Sequence, residues 1–144
     1  MHERRFVFER PEGTVVAEVD PDRIIQAVRN LIDNAVKYSA AGGDVIVRVW
    51  QKSDTHVSIS VMDHGAGIPE EEMPRIFEAF TRLSKESDIS GSGLGLYITR
   101  GIVTAHSGQL TVTNATGSER MRGAIFTIDL PIKVPTQDSP ALVG

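Results

Sequence analysis

The apolar positions of this chain change period several times, and each change marks a new element. Between Arg5 and Val19 two short apolar runs, Phe6-Val7-Phe8 and Val15-Val16-Ala17, flank Pro11-Glu12-Gly13, which predicts a strand, a turn and a strand. Asp20-Pro21-Asp22 then offers a capping carboxylate and a proline suited to a first helical turn. From there Ile25, Val28, Ile32 and Ala35 recur at helical spacing, widened by Ile24, Leu31 and Val36, so an amphipathic helix is predicted to end near Ser39. Val45 to Trp50 and Val57 to Met62 read as strands joined by a hairpin loop at Lys52-Ser53-Asp54-Thr55. Glu70 to Phe80 reads as a short helix with Met73, Ile76, Phe77 and Phe80 on one face, and Leu94 to Ala105 as another helix. Gln109 to Thr113 and Gly123 to Leu130 alternate as strands. Strands in hairpin-like succession with helices on one side predict a two-layer α/β (α+β) sandwich with a mixed, mostly antiparallel sheet.

The length of 144 residues suits one domain with a single core. With 40% hydrophobic and 24% charged residues the composition is that of a globular protein, and the net charge of -4 argues against an extended nucleic-acid surface. The chain has no cysteine, which excludes disulfides, thiolate metal sites and cysteine nucleophiles. No apolar run is long enough to span a bilayer, so direct membrane contact is not expected of these residues.

Four features along this scaffold carry chemistry. On the long helix Asn30, Asn34 and Lys37 are spaced by four and seven residues and share one polar stripe bordering the apolar face. An Asn oxygen is a hard ligand suited to Mg²⁺, and a Lys supplies a point charge for phosphate, although such a stripe alone also describes an ordinary solvated face. Second, Asp63 follows Val57, Ile59 and Val61 at period two, which places a carboxylate at the end of an apolar stripe. Such a carboxylate needs hydrogen-bond donors. An adenine amino group is one, and the glycines of Asp63-His64-Gly65-Ala66-Gly67 permit close approach of backbone. An ordinary turn after a strand has the same composition. Third, Gly91-Ser92-Gly93-Leu94-Gly95-Leu96 opens a helix, where free backbone N–H groups bind phosphate; its spacing is neither the Rossmann fingerprint nor the Walker A loop. Fourth, Phe77-Glu78-Ala79-Phe80 pairs two aromatics at i and i+3, a core pattern that also anchors one end of the polar stretch Thr81 to Gly93.

In this order, over roughly Ile24 to Pro131, the residues resemble the catalytic, ATP-binding domain of bacterial sensor histidine kinases, within the superfamily that also contains DNA gyrase. Asn30 to Tyr38 is similar to the family's N box, Asp63 to Ile68 to its first glycine box, Phe77 to Phe80 to its F box, and Gly91 to Leu96 to its second glycine box. The resemblance implies the Bergerat ATP-binding fold, with ATP and Mg²⁺ as ligands. It implies that Asn34 coordinates Mg²⁺ beside Asn30, that Lys37 meets the phosphates, and that Tyr38 packs near adenine or ribose. Asp63 would read the adenine amino group, with Gly65, Gly67 and Ile68 lining the base pocket. Residues 81–90 would form a lid, closed by backbone donors around Gly91, Gly93, Leu94, Gly95 and Leu96, and Arg82 would reach the γ-phosphate. His64 stands where the family more often carries Asn, which alters a hydrogen bond near the base.

The resemblance also separates activities. Hydrolysing members, and those that phosphorylate serine, carry a Glu base four residues before the Mg²⁺ ligand; here Asn30 stands there, and an amide takes no proton at neutral pH. The expected reaction is therefore transfer of the γ-phosphate to a histidine on a separate dimerisation domain, with a response-regulator receiver domain downstream. Of the four histidines only His2 is followed by an acid, and Arg4-Arg5-Phe6-Val7 leads into a strand, so the phosphoacceptor is expected elsewhere. An ATPase or serine kinase of the same superfamily, and a nucleotide-binding pseudokinase that acts by contact, are the alternatives. The expected organisation is a cytoplasmic catalytic domain at 1–133 and a flexible tail at 134–144, whether or not the parent is membrane-anchored.

Overall fold

The computed structural model describes residues 5–39, 43–78, 94–115 and 123–132. Among them run strand β1 (Phe6–Glu9), helix α1 (Pro21–Tyr38), strands β2 (Val45–Gln51) and β3 (His56–Met62), a 3₁₀ helix (Glu70–Arg75), helix α2 (Gly95–Ala105), and strands β4 (Gln109–Asn114) and β5 (Ala124–Pro131). The strands form one sheet in the order β1-β2-β3-β5-β4. β1 and β2 are parallel because α1 carries the chain back between them, whereas the other pairs are antiparallel. The β2–β3 hairpin closes through the Lys52 N–H to the His56 carbonyl at 2.9 Å.

Both helices lie on one face of the sheet. Asp20 caps α1 by accepting from the N–H groups of Asp22 (3.1 Å) and Arg23 (3.3 Å), and Pro21 occupies the first turn. The buried stripe of α1, Ala27, Leu31 and Ala35, meets Val45, Val57 and Val61 and the alternating Ala124, Phe126, Ile128 and Leu130 of β5 in one core. α2 adds Ile102 and Val103 to that core. It runs antiparallel to α1, since its start meets Asn30 and its end meets Asp20. The latter contact is made by His106, whose Nδ1 faces the Ile102 carbonyl at 2.9 Å while Nε2 accepts from the Asp20 N–H at 3.0 Å. That pair of contacts ties the end of α2 to the cap of α1.

Two expected elements are altered. Residues 15–17 form no strand; Val15, Ala17 and Val19 instead pack at alternate positions against the core without a ladder partner. Of the helix expected over 70–80, only the 3₁₀ segment forms among the described residues, with Pro74 inside it. A proline lacks the N–H an α-helical turn needs, so the short segment keeps the tighter pattern. Its apolar face survives: Ile76 is buried, and Phe77 meets Phe126 edge to face at 6.2 Å. Phe80 and the expected tail at 134–144 lie outside the described residues. Among the described residues no helix is long and apolar enough to cross a membrane.

Candidate functional site

The polar stripe of α1 connects two glycine-rich segments that are distant in sequence. At mid-helix, Asn30 Nδ2 donates to the Thr99 hydroxyl (3.2 Å) and, more weakly, to the Gly95 carbonyl (3.4 Å) in the first turns of α2. Thr99 is fully buried and Asn30 half-buried, so this bond ties the start of α2 to α1 at the margin of the core. At the C-terminal end, the Tyr38 carbonyl lies against Gly65, and the Ser39 hydroxyl accepts from the His64 N–H at 3.0 Å. From Asn30 to Tyr38 the helix rises about 12 Å, comparable with a nucleoside triphosphate laid along it. Asn34, half-buried, and Lys37, exposed in the last turn, stand between these ends.

Asp63 is buried at the end of β3, 3% exposed. Its Oδ1 accepts from the Gly65 N–H at 2.9 Å and from the Ala124 N–H at 3.1 Å. Among the described residues no hydrogen bond reaches Oδ2, which leaves one carboxylate oxygen for an outside donor. Burial pushes this carboxyl above its ordinary value, and the two backbone N–H groups pull it part of the way back. Space around it is limited by Gly123, where a β-carbon would overlap the Asp63 carbonyl oxygen.

The glycines have structural reasons as well as access to offer. A β-carbon on Gly65 would collide with the Tyr38 carbonyl oxygen. Gly67 adopts φ +84°, in the left-handed region, and a β-carbon there would lie 2.8 Å from the Asn114 side-chain oxygen. Ile68 is buried, and its backbone is held from both sides: its N–H donates to Asn114 Oδ1 at 2.8 Å and its carbonyl accepts from Asn114 Nδ2 at 2.9 Å. Asn114 ends β4 far along the chain, and sequence reasoning missed it. Its only signal was a carboxamide terminating an alternating strand.

His64 makes no hydrogen bond to Asp63 among the described residues. Its Nδ1 bonds the Asp44 carbonyl at 2.7 Å, and Asp44 in turn takes two hydrogen bonds from the Arg5 guanidinium, at 2.6 and 3.1 Å. Those bonds hold the Asp44 carboxyl below its ordinary value. The residue that departs from the family pattern thus ties the glycine loop to the start of β2.

α2 begins at Gly95 after Leu94, with no side-chain cap among the described residues and no acid in the first turn. Its first N–H groups are therefore available to an anion, and the dipole favours one. Nothing among the described residues lies within 4 Å of a β-carbon built on Gly95, while Leu96 packs partly against the core. Gly91, Gly93 and Arg82, with the expected lid, lie outside the described residues. Among the described residues no cluster of three or more His, Asp or Glu side chains is arranged to hold a metal ion.

The comparisons agree with this geometry. The chain is 38% identical over 128 residues to the adaptive-response sensory kinase SasA of Synechococcus sp. (strain JA-3-3Ab), a match covering 89% of this chain but 33% of SasA. The chain thus spans about a third of the length of that relative. Among solved structures, the mycobacterial sensor histidine kinase MprB superposes with a TM-score of 0.80 at 34% identity, over 92% of this chain and 86% of that one. Full-length ShkA in complex with AMPPNP gives 0.75 at 29% identity, over 92% of this chain and 26% of ShkA. Residues 19–134 match the family described as histidine kinase-, DNA gyrase B- and HSP90-like ATPase, and the chain belongs to that family.

Proposed function

We propose that this chain binds ATP with Mg²⁺ and donates the γ-phosphate to a histidine on a separate dimerisation domain. The observation that carries the reading is α1 itself, whose polar stripe joins the start of α2, which has no side-chain cap among the described residues, at Asn30 to the Asp63 loop at Tyr38. That arrangement offers an adenine acceptor at one end and phosphate donors at the other. The AMPPNP in the similar ShkA structure, an ATP analogue, supports a nucleoside triphosphate as ligand.

In this reading Asp63 Oδ2 accepts from the adenine amino group, Gly65, Gly67 and Ile68 line the base, and Tyr38 packs beside adenine or ribose. Lys37 and the N–H groups at Leu94, Gly95 and Leu96 meet the phosphates, with Gly91, Gly93 and Arg82 completing the triphosphate site. The side chain of Asn34 suits Mg²⁺: its amide oxygen is hard, and among the described residues it makes no hydrogen bond. With no carboxylate cluster beside it among the described residues, the ion would take its remaining ligands from phosphate and water. Bound there, Mg²⁺ would neutralise charge on the phosphate oxygens.

The transfer forms a bond from an imidazole nitrogen to the γ-phosphorus as the bond to the β,γ-bridging oxygen breaks, and ADP departs with that electron pair. Asn30 supports transfer over hydrolysis. It is an amide whose nitrogen is occupied in donor bonds to α2, so no carboxylate stands there to activate water. The acceptor histidine belongs to the dimerisation domain of a parent kinase, which passes the phosphate on to a response-regulator receiver domain, and this catalytic domain works on the cytoplasmic side whether or not that parent is membrane-anchored. Residues 1–133 would then act as one module, with 134–144 as a tail.

The test mixes the chain, γ-labelled ATP, Mg²⁺ and a histidine-bearing dimerisation domain of a sensor kinase encoded in the same reading frame. Acid-labile label on that domain's histidine is the expected result. Steady phosphate release by the chain alone, with no label transferred, refutes the assignment.

A further inference from the structure

Both donors to Asp63 Oδ1 hang from segments that meet at one side chain. Gly65 belongs to the loop that continues through Gly67 to Ile68, and Ile68 is bonded at both N–H and carbonyl by the Asn114 carboxamide. The second donor, Ala124, is the β5 partner of Asn114 in the sheet register. Next to that pair, the Ala115 N–H bonds the Gly123 carbonyl at 2.8 Å. Gly67 presses on the same carboxamide, since a β-carbon there would lie 2.8 Å from its oxygen. A single side chain therefore locks the glycine loop to the β4–β5 edge, and the Asp63 carboxylate is held between them.

We propose that Asn114 is a positioning residue for nucleotide recognition, which sets the orientation of the Asp63 carboxylate and hence the preference for adenine over guanine. The inference rests on the ATP-binding reading. Asn114 touches no reacting atom and acts through the Ile68 backbone. Its carboxamide is suited to this because it presents one acceptor and one donor to the two polar groups of the Ile68 backbone. Aspartate keeps the acceptor but sets a second oxygen against the Ile68 carbonyl, and serine is too short to reach both atoms. Either change frees the loop and lets the Gly65 N–H drift from Oδ1. The phosphate end stands on α1 and α2, so it is left in place.

The experiment measures MgATP and MgGTP binding to the chain by calorimetry for wild type, Asn114→Asp, Asn114→Ser and Asn114→Gln, with a thermal melt of each. With a dimerisation domain added, KM and kcat of transfer are followed. The expected result is ATP binding about tenfold weaker in the Asn114 variants, a narrowed ATP-to-GTP ratio, raised KM, and kcat within about twofold of wild type. A role confined to stability lowers the melt and leaves the ATP-to-GTP ratio of the folded protein unchanged, which overturns the proposal. If the Asp and Ser variants fail to fold, Asn114→Gln, which keeps the carboxamide but sets it one methylene further out, decides: a narrowed ratio supports the positioning role and an unchanged one refutes it. Failure of wild type to bind either nucleotide would strike the ATP-binding reading first and this inference with it, a pattern distinct from variants that match a binding-competent wild type.

Discussion

Gly65 sits against the last turn of α1 so closely that a β-carbon on it would collide with the Tyr38 carbonyl oxygen. This contact couples the loop that holds Asp63 to the helix that carries Asn30, Asn34 and Lys37. Gly65→Ala must separate the two. The expected cost is about 2–3 kcal/mol, since backbone has to move to accommodate the methyl group. Chemical denaturation of the two proteins measures it, and a loss below about 0.5 kcal/mol would show that the loop yields freely.

Asp63 links stability to pH in a fixed direction. Burial raises its carboxyl above the ordinary value near 3.8, so folding favours the protonated form. The stability this group contributes is whole below that ordinary value and is lost as pH rises through the raised folded value. The carboxamide introduced by Asp63→Asn stays neutral and keeps an oxygen for the Gly65 and Ala124 N–H groups. The melting temperature of Asp63→Asn relative to wild type should therefore rise as the pH is raised from the ordinary carboxyl value through the raised folded one. Its ATP affinity should fall about a hundredfold, because an amide nitrogen or a lost acceptor now faces the adenine amino group. An unchanged pH profile of the melting-temperature difference would show that Asp63 is effectively solvated.

Asn30 predicts an effect on transfer separate from base recognition. Asn30→Asp replaces the Nδ2 donor with a second oxygen beside the Gly95 carbonyl, 3.4 Å from the original nitrogen. The first turn of α2, where phosphate donors lie, should shift. We expect phosphotransfer to fall at least about tenfold, with the ATP-to-GTP preference retained. Steady-state transfer assays with both nucleotides check the separation.

Ser107 predicts a gain. It is the only described non-glycine residue with positive φ, at 60°, and follows α2 where the Gly108 N–H bonds back to the Val103 carbonyl at 2.9 Å. A glycine is favoured at such a left-handed helix end. Ser107→Gly should stabilise the domain by about 0.5–1 kcal/mol, seen as a higher melting temperature with nucleotide binding unchanged. A lower melting temperature would mean that the serine hydroxyl holds a compensating contact.

Much of the fold is legible in the chain because local signals agree with each other. The Asp20-Pro21 cap and the helical spacing from Ile24 to Val36 mark α1, and strict alternation from Ala124 to Leu130 marks β5; the structure buries Leu31, Ala35 and the alternate positions of β5, but it centres the α1 stripe on Ala27, which the spacing does not single out, and leaves Ile25 53% exposed. The readings that fail are local patterns without a partner. Val15-Val16-Ala17 has the composition of a strand, but among the described residues no strand pairs with it, so Val15 and Ala17 cover the core while Val16 stands exposed. At Glu70–Arg75 the apolar face is correct and the helix type is not, because Pro74 removes a backbone donor.

Residue type and short-range spacing specify the ligand chemistry on offer: a carboxylate ending an apolar strand, two amides and a lysine at helical spacing, and glycines where backbone must approach closely. One chain displays these in full, because none of them depends on a distant partner. Packing in three dimensions selects which of them meet. Asn30 bonds α2 across 69 residues at Thr99, and Asn114 reaches Ile68 across 46. Neither pairing has a local signature, because a carboxamide at a strand end serves equally well in water or against a peptide unit. Its role is set only when the sheet brings that end beside the glycine loop.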